Sequence, residues 1–312
     1  MNRKLQKLTD FEEMAQIPMP VNFSGSLRPY QQAGYNWFHF LRAYHFGGCL
    51  ADDMGLGKTI QTLALLQKNK EDSEDEGSKS TSLLIMPTSL IYNWLNEAKK
   101  FTPQLKLMVH TGTFRYKNPE VFSNYDVVVT TYGISRIDID LFQSFFFDYV
   151  ILDESQNIKN PSSKSYQAVR LLKSRFKLIL SGTPVENSVN DLWTQMSFIN
   201  PGLLGSQQFF INEFVNPIEK KKDEEKARKL QAIIKPFILR RTKEQVATEL
   251  PPKTEHLFYC QMSDEQSSVY EKVKSEYRNE LLKSLEDGTF AQAQMQVLQG
   301  LIKLRQIANH PI

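Results

Sequence analysis

The eight residues Asp52–Thr59, D-D-M-G-L-G-K-T, constrain this chain more than any other stretch. They follow a short apolar run, Cys49–Ala51, and open a stretch with helical spacing, Thr59–Gln67. A strand that turns through glycines into a helix is the setting of a phosphate-binding loop. Gly55 and Gly57 let the backbone bend tightly and aim its N–H groups at phosphate oxygens. Lys58 supplies a cation to the β- and γ-phosphates, and the Thr59 hydroxyl is placed to ligate Mg²⁺. The helix N-terminus adds the positive end of its dipole. Asp52 stands where the usual pattern begins with glycine, and Met54 and Leu56 occupy the variable places of the loop.

The surroundings of the loop alternate in the same way. Leu83–Met86, Leu105–Val109, Val127–Thr130, Phe145–Leu152 and Phe176–Leu180 read as strands, and the residues Leu27 to Leu41, Leu90–Phe101 and Ser163–Leu172 as helices. Strands alternating with helices predict an α/β fold with a parallel, doubly wound sheet and helices on both faces. The apolar runs are continuous, as expected when both sheet faces are covered. E-D-S-E-D-E at Glu71–Glu76 reads as an acidic surface loop. After Leu204 the texture becomes helical, at Phe209–Val215, Glu224–Ile234 and Ser267–Leu282, with an extended piece at Pro251–Cys260. The charge run from Glu219 to Lys229 reads as a solvated helix face. With 312 residues, about two domains are expected. The divisions expected are a lead-in at 1–25, the α/β lobe at 26–205, a helical insertion at 206–250, and an extended strand with helices at 251–312.

Charge and cysteine usage remove several functional classes. The net charge is +3, so any nucleic-acid contact must come from a local patch. No apolar run approaches the roughly 18 residues of a membrane span. The opening M-N-R-K-L-Q-K-L-T-D has no apolar core of a secretory signal. Cys49 and Cys260 lie far apart and read as two free thiols in a reducing compartment.

Three further segments belong with the loop. Asp153 and Glu154 end an apolar strand, an edge that faces the same crevice as the phosphate loop. Asp153 is suited to hold Mg²⁺, directly or through water, and Glu154 to orient and polarise the attacking water. S-G-T-P at Ser181–Pro184 ends the next strand, and its hydroxyls can hydrogen-bond the acidic segment and report on the γ-phosphate. L-R-P-Y-Q at Leu27–Gln31 offers a Gln31 amide to the adenine edge, with Arg28 or Tyr30 stacking on or flanking the base.

In order and in detail these residues resemble the Swi/Snf-type family of DNA-dependent ATPases within helicase superfamily two. L-R-P-Y-Q is similar to the family's adenine-recognition segment. A-D-D-M-G-L-G-K-T at Ala51–Thr59 is similar to its first motif, in which Asp52 is the usual residue. L-L-I-M-P-T-S-L-I-Y-N-W at Leu83–Trp94 and T-T-Y at Thr130–Tyr132 resemble segments that face DNA, with Thr88 and Thr130 as the candidate phosphate contacts. D-E-S-Q at Asp153–Gln156 stands where the acidic box stands, and L-S-G-T-P-V-E-N at Leu180–Asn187 is similar to the coupling motif, with Ser181, Gly182 and Thr183. N-D-L-W, F-I-N-P-G-L-L-G, P-F-I-L-R-R-T-K, E-L-P-P-K-T-E and L-R-Q-I-A-N-H-P carry the resemblance to the end of the chain.

The resemblance implies a first RecA-like lobe with a family-specific helical region. It implies ATP and Mg²⁺ as cofactors, contact with the phosphate backbone of double-stranded DNA, and action on DNA-bound proteins by a monomer. It implies translocation without strand separation, inside a cell, with a bacterial cytoplasm and a nucleus both open. Two departures stand out. Ser155-Gln156 replaces the usual Ala-His, so Gln156 can couple to Ser181 and Thr183 by hydrogen bonds but cannot carry charge. The second lobe, which in the family supplies arginines to the γ-phosphate, has no counterpart here. Arg240 and Arg241 belong to the signature of the helical region and are not expected to serve as that finger. The chain therefore reads as a piece of a longer protein, nearly inactive alone. Two other readings stay open at this point: a nucleotide-binding interaction module that does not turn over, and a strand-separating helicase.

Overall fold

The computed structural model describes residues 14–182, 188–246, 256–286 and 290–310. They fall into two compact units, Met1–Leu250 and Pro251–Ile312.

The first unit is built on a parallel seven-stranded sheet. Its strands are β1 Gly48–Leu50, β2 Ser82–Met86, β3 Leu107–Val109, β4 Val127–Thr131, β5 Phe146–Asp153, β6 Lys173–Leu180 and β7 Ile238–Leu239, in the order β3-β4-β2-β5-β6-β1-β7. The central strands are largely apolar because helices cover both faces, and every residue of β2 and β4 is buried. The main helices of this unit are α1 Pro29–Ala43, α2 Lys58–Asp75, α3 Thr88–Phe101, α4 Lys164–Leu171, α5 Val189–Ile199 and α6 Glu224–Ile234. Pro29 starts α1 at a position where a missing N–H costs nothing, and the Gln31 side chain accepts the N–H of Arg28 at 2.9 Å. Helix α1 then buries Trp37, Phe38 and Leu41, each worth roughly 2–3 kcal/mol of apolar burial.

Register decides where strand ends come out. Leu50 of β1 and Asp153 of β5 both sit opposite Leu180 of β6. Ile85 of β2 is opposite Leu152 of β5 and Thr130 of β4. The segments after β1, β2, β4, β5 and β6 therefore all leave from one edge of the sheet, as carboxyl ends of parallel strands must.

Four features differ from the sequence reading. The acidic run is not a loop: α2 continues to Asp75, helped by the i,i+4 ion pairs Lys68–Asp72 and Lys70–Glu74. Glu71 on this helix accepts the N–H groups of Val21 and Asn22, each at 2.9 Å. The charge run from Glu219 to Lys229 is not one helix face. A π-helix, Ile211–Lys220, ends there, Lys222 turns at φ +53°, and Asp223 caps α6 by accepting the N–H groups of Glu225 and Lys226. Within P-F-I-L-R-R-T-K, Ile238–Leu239 is a strand beside β1, so the chain returns to the sheet before residue 250. The helix expected at Ser267–Leu282 runs instead from Asp264 to Glu286, and a further helix, Phe290–Asn309, follows it.

The second unit, taken by itself, is a helical hairpin of α7 Asp264–Glu286 and α8 Phe290–Asn309. Gln266 donates to the Ile307 carbonyl at 2.7 Å, and Gly300 lies against Tyr277. Among the described residues, no helix is long and apolar enough to cross a membrane.

Candidate functional site

Between β1 and α2 the chain makes the turn expected of a phosphate loop. Gly55 and Gly57 have φ of +87° and +80°, a region open to glycine and strained for other residues. Gly57 is also the residue before the first helical turn, and Lys58 and Thr59 are the first two residues of α2. The first turn of a helix directs N–H groups outward that no intrahelical carbonyl can accept. A Cβ at Gly57 would lie 2.4 Å from the Gln31 amide nitrogen and would displace that side chain from the loop. The residues present thus fit a polyphosphate: a left-handed glycine turn, a helix start and a lysine. The Lys58 ammonium donates to the Asp52 and Asp53 carbonyls at 2.6 and 3.4 Å, which centres its charge on the loop. Leu56 is buried and anchors the loop, whereas Met54 is 72% exposed at its tip.

Asp153 and Glu154 sit two strands away on the same edge. Asp153 is 6% exposed, and its two oxygens accept the Trp94 indole N–H at 2.8 Å and the Glu154 N–H at 2.9 Å. Burial pushes its carboxyl up to about 6, against the pull of the Trp94 hydrogen bond. The Tyr132 hydroxyl donates to the Asp153 carbonyl at 2.8 Å, and burial raises that phenol well above its ordinary value. Glu154 takes a left-handed backbone, φ +51°, which turns the chain out of the sheet directly after the strand. Gln156 is exposed in the following turn. Between the two lies Ser155, whose hydroxyl is buried without a hydrogen-bond partner among the described residues.

Ser181 continues the β6–β1 ladder, its N–H donating to the Leu50 carbonyl at 3.1 Å, one residue before the phosphate-loop segment Ala51–Thr59. Gly182 follows, with space for a Cβ 3.6 Å from Met54. Thr183 lies outside the described residues.

The L-R-P-Y-Q segment adjoins the loop through Gln31. The Gln31 amide nitrogen donates to the Leu56 carbonyl at 3.1 Å while its oxygen takes the Arg28 N–H. In this arrangement Gln31 ties α1 to the loop rather than presenting a free amide edge. Tyr30 is half-buried and Arg28 exposed.

The two threonines separate. Thr88 is exposed at the first position of α3, with Pro87 as the residue before the helix and no side-chain cap there. Thr130 is corrected: it is fully buried, and its hydroxyl donates to the His110 carbonyl at 2.8 Å. Both sheet faces are covered here and every residue of β4 is buried, so Thr130 is not placed to touch a phosphate.

One site residue escaped the sequence reading. The Arg241 guanidinium reaches Asp52, Gln61 and Tyr30. Its only signal was its place two residues after the Ile-Leu pair that becomes β7, in a segment read as helical.

A parallel α/β sheet with a glycine phosphate loop at its carboxyl edge and an acidic pair on a neighbouring strand defines a RecA-like P-loop lobe. The SNF2-related domain matches residues 30–312, and the chain belongs to that family. It is 42% identical over 312 residues to YwqA of Bacillus subtilis, covering 98% of this chain and 33% of that protein. It is 35% identical to the TATA-binding protein-associated factor MOT1 of Saccharomyces cerevisiae, covering 98% of this chain and 18% of that one. The chain thus spans about a third or less of the length of these curated relatives. Among solved structures, it resembles the Sulfolobus solfataricus SWI2/SNF2 ATPase core in complex with dsDNA, at 41% identity and a TM-score of 0.68, covering 95% of this chain and 61% of that one.

Proposed function

We propose that this chain is the ATP-binding lobe of a DNA-dependent ATPase whose full form moves along double-stranded DNA and remodels protein–DNA complexes. The observation that carries the reading is the common register of Leu50, Asp153 and Leu180, which brings the phosphate loop, the acidic pair and Ser181 to one edge. Phosphoryl transfer to water is driven by positioning and charge stabilisation. Lys58 and the loop N–H groups hold the phosphates, and Thr59 and Asp153 hold Mg²⁺. Glu154 orients the water, and Gln156, Ser181 and Thr183 couple the edge to the rest of the engine. Tyr30 and Arg28 flank the base, and Gln31, whose amide donates to the Leu56 carbonyl, braces the loop beside it. Mg²⁺-ATP supplies the scissile phosphoanhydride and the charge that Lys58 and Asp153 meet.

Double-stranded DNA is the proposed track, contacted chiefly through phosphates. The support is the solved relative bound to dsDNA and the exposed Thr88 on the same edge. Phosphate contact makes such binding sequence-independent and salt-sensitive.

The roles separate in the longer protein. Lys58→Ala is expected to abolish nucleotide binding or turnover, because it removes a ground-state charge-assisted contact. Glu154→Gln is expected to keep ATP binding and lose hydrolysis. Equal loss of binding in both variants, measured by nucleotide titration, contradicts these assignments.

A further inference from the structure

We propose that Arg241 is a positioning residue for the nucleotide cradle: it neutralises the buried Asp52 carboxylate and locks the phosphate loop onto α1. Through it, the segment returning from the helical region sets the nucleotide affinity of the lobe. The inference rests on the reading of Asp52–Thr59 as a phosphate cradle.

The argument begins with Asp52. A carboxylate stands where phosphate loops usually begin with glycine, and it is 0% exposed. Buried negative charge beside a site for polyphosphate repels the ligand and, unpaired, destabilises the loop. It would also compete for Lys58. Arg241 prevents both. Its Nε donates to one Asp52 oxygen at 2.9 Å and its Nη2 donates to the other, the bidentate fork that suits a carboxylate. Lys58 is left to the loop carbonyls rather than to the Asp52 side chain.

The same guanidinium joins three segments. Nη2 also donates to the Gln61 amide oxygen at 2.9 Å, and Gln61 donates to the Gly57 carbonyl at 3.0 Å. Nη1 donates to the Tyr30 carbonyl, and the guanidinium lies 5.4 Å from the centre of the Tyr30 ring. A Cβ at Gly34 would fall 2.9 Å from Nη2, so α1 approaches this network as closely as glycine permits.

The backbone repeats the connection. The Ala51 N–H donates to the Leu239 carbonyl at 2.7 Å and the Asp53 N–H to the Arg241 carbonyl at 3.0 Å. The Lys243 N–H donates to the Asp53 carboxylate at 3.1 Å. Residues 51–53 are thus zipped to residues 239–243. A shift of the returning segment has a direct route to Gly57 and Lys58.

The test uses a fluorescent ATP analogue with Mg²⁺, titrated into the 312-residue chain and its Arg241→Met, Arg241→Lys, Asp52→Asn and Asp52→Asn/Arg241→Met variants. Arg241→Met is expected to weaken binding at least tenfold. The double variant is expected to return within about threefold of wild type, because the carboxylate that needed a cation is gone. A role in packing alone would show no such rescue. Arg241→Lys keeps charge without the fork and is expected to lie between, and it carries the test if Arg241→Met fails to fold by circular dichroism. Unchanged affinity in a folded Arg241 variant, or a double variant no tighter than Arg241→Met, overturns the proposal. If wild type binds the analogue no better than Lys58→Ala, the cradle reading itself fails. Arg241 is then judged by amide exchange over residues 52–58. Exchange there must accelerate in Arg241→Met and recover in the double variant, and unchanged exchange overturns the clamp.

Discussion

Gly57 shows how little latitude a single position has. Its φ of +80° strains any other residue, and a Cβ there would have to push the Gln31 amide, 2.4 Å away, out of place. Gly57→Ala is expected to cost about 1–2 kcal/mol of stability from the left-handed backbone and the displaced Gln31. It is also expected to weaken nucleotide binding more than tenfold, as measured by titration and thermal melts on the same sample. Asp153 makes a second residue-level prediction. With its carboxyl near 6, it is roughly nine-tenths protonated at pH 5 and ionised above pH 7. A metal ion needs the ionised form, so the proton must leave first. Mg²⁺ dependence of nucleotide binding is therefore expected to be steady above pH 7 and to weaken as pH falls through 6. A dependence that stays flat from pH 5 to 7.5 removes Asp153 from the metal site. The raised value has its origin in burial, which the sequence could not display, since the Trp94 indole that covers the carboxylate comes from α3.

At the scale of elements, the extension of α2 matters most. The acidic run Glu71–Glu76 looked like surface because its composition is that of a loop. Helix propagation past Gln67 is supported instead by ion pairs at i,i+4 and by what Glu71 holds. Burial alone would raise the Glu71 pKa, but the N–H groups of Asn22 and Val21 outweigh it and hold it below the usual carboxylate range. The stability it contributes is present above the ordinary Glu value and is lost as pH falls through the lower folded value. Glu71→Ala is expected to accelerate amide exchange at Val21 and Asn22. The stability loss at pH 7 should stay under about 1 kcal/mol, because the group is partly solvated, and should vanish in strong acid. Equal exchange in both proteins would show that the lead-in is held by other contacts. The short strand β7 failed to register for a related reason. Two residues cannot display a period, and Ile238–Leu239 become a strand only because β1 offers a free edge.

For the whole molecule, one sheet edge gathers segments from residues 28 to 243, and parallel topology is what gathers them. Lys58 faces the loop, and the Arg241 guanidinium is committed to Asp52. In related phosphoryl-transfer systems, an arginine supplied from outside such a site is worth roughly 10³–10⁵ in rate. Residues 1–312 alone are therefore expected to hydrolyse ATP near background, with or without duplex DNA. A longer protein extending over the length of its relatives is expected to respond to DNA. Robust DNA-stimulated turnover by the 312-residue chain would refute this.

The sequence by itself determined the parallel α/β lobe, the phosphate loop, the acidic pair and the family resemblance. All of these are written in local spacing: glycines before Gly-Lys-Thr, apolar runs of strand length, acids at a strand end. The tertiary structure alone decided that Thr130 is buried while Thr88 is exposed, that Gln31 braces the loop, and that burial pushes the Asp153 carboxyl up to about 6. It alone joined Asp52 to Arg241 across 189 residues. Burial and pairing between distant segments depend on sheet register and helix docking, and no local window of sequence contains either.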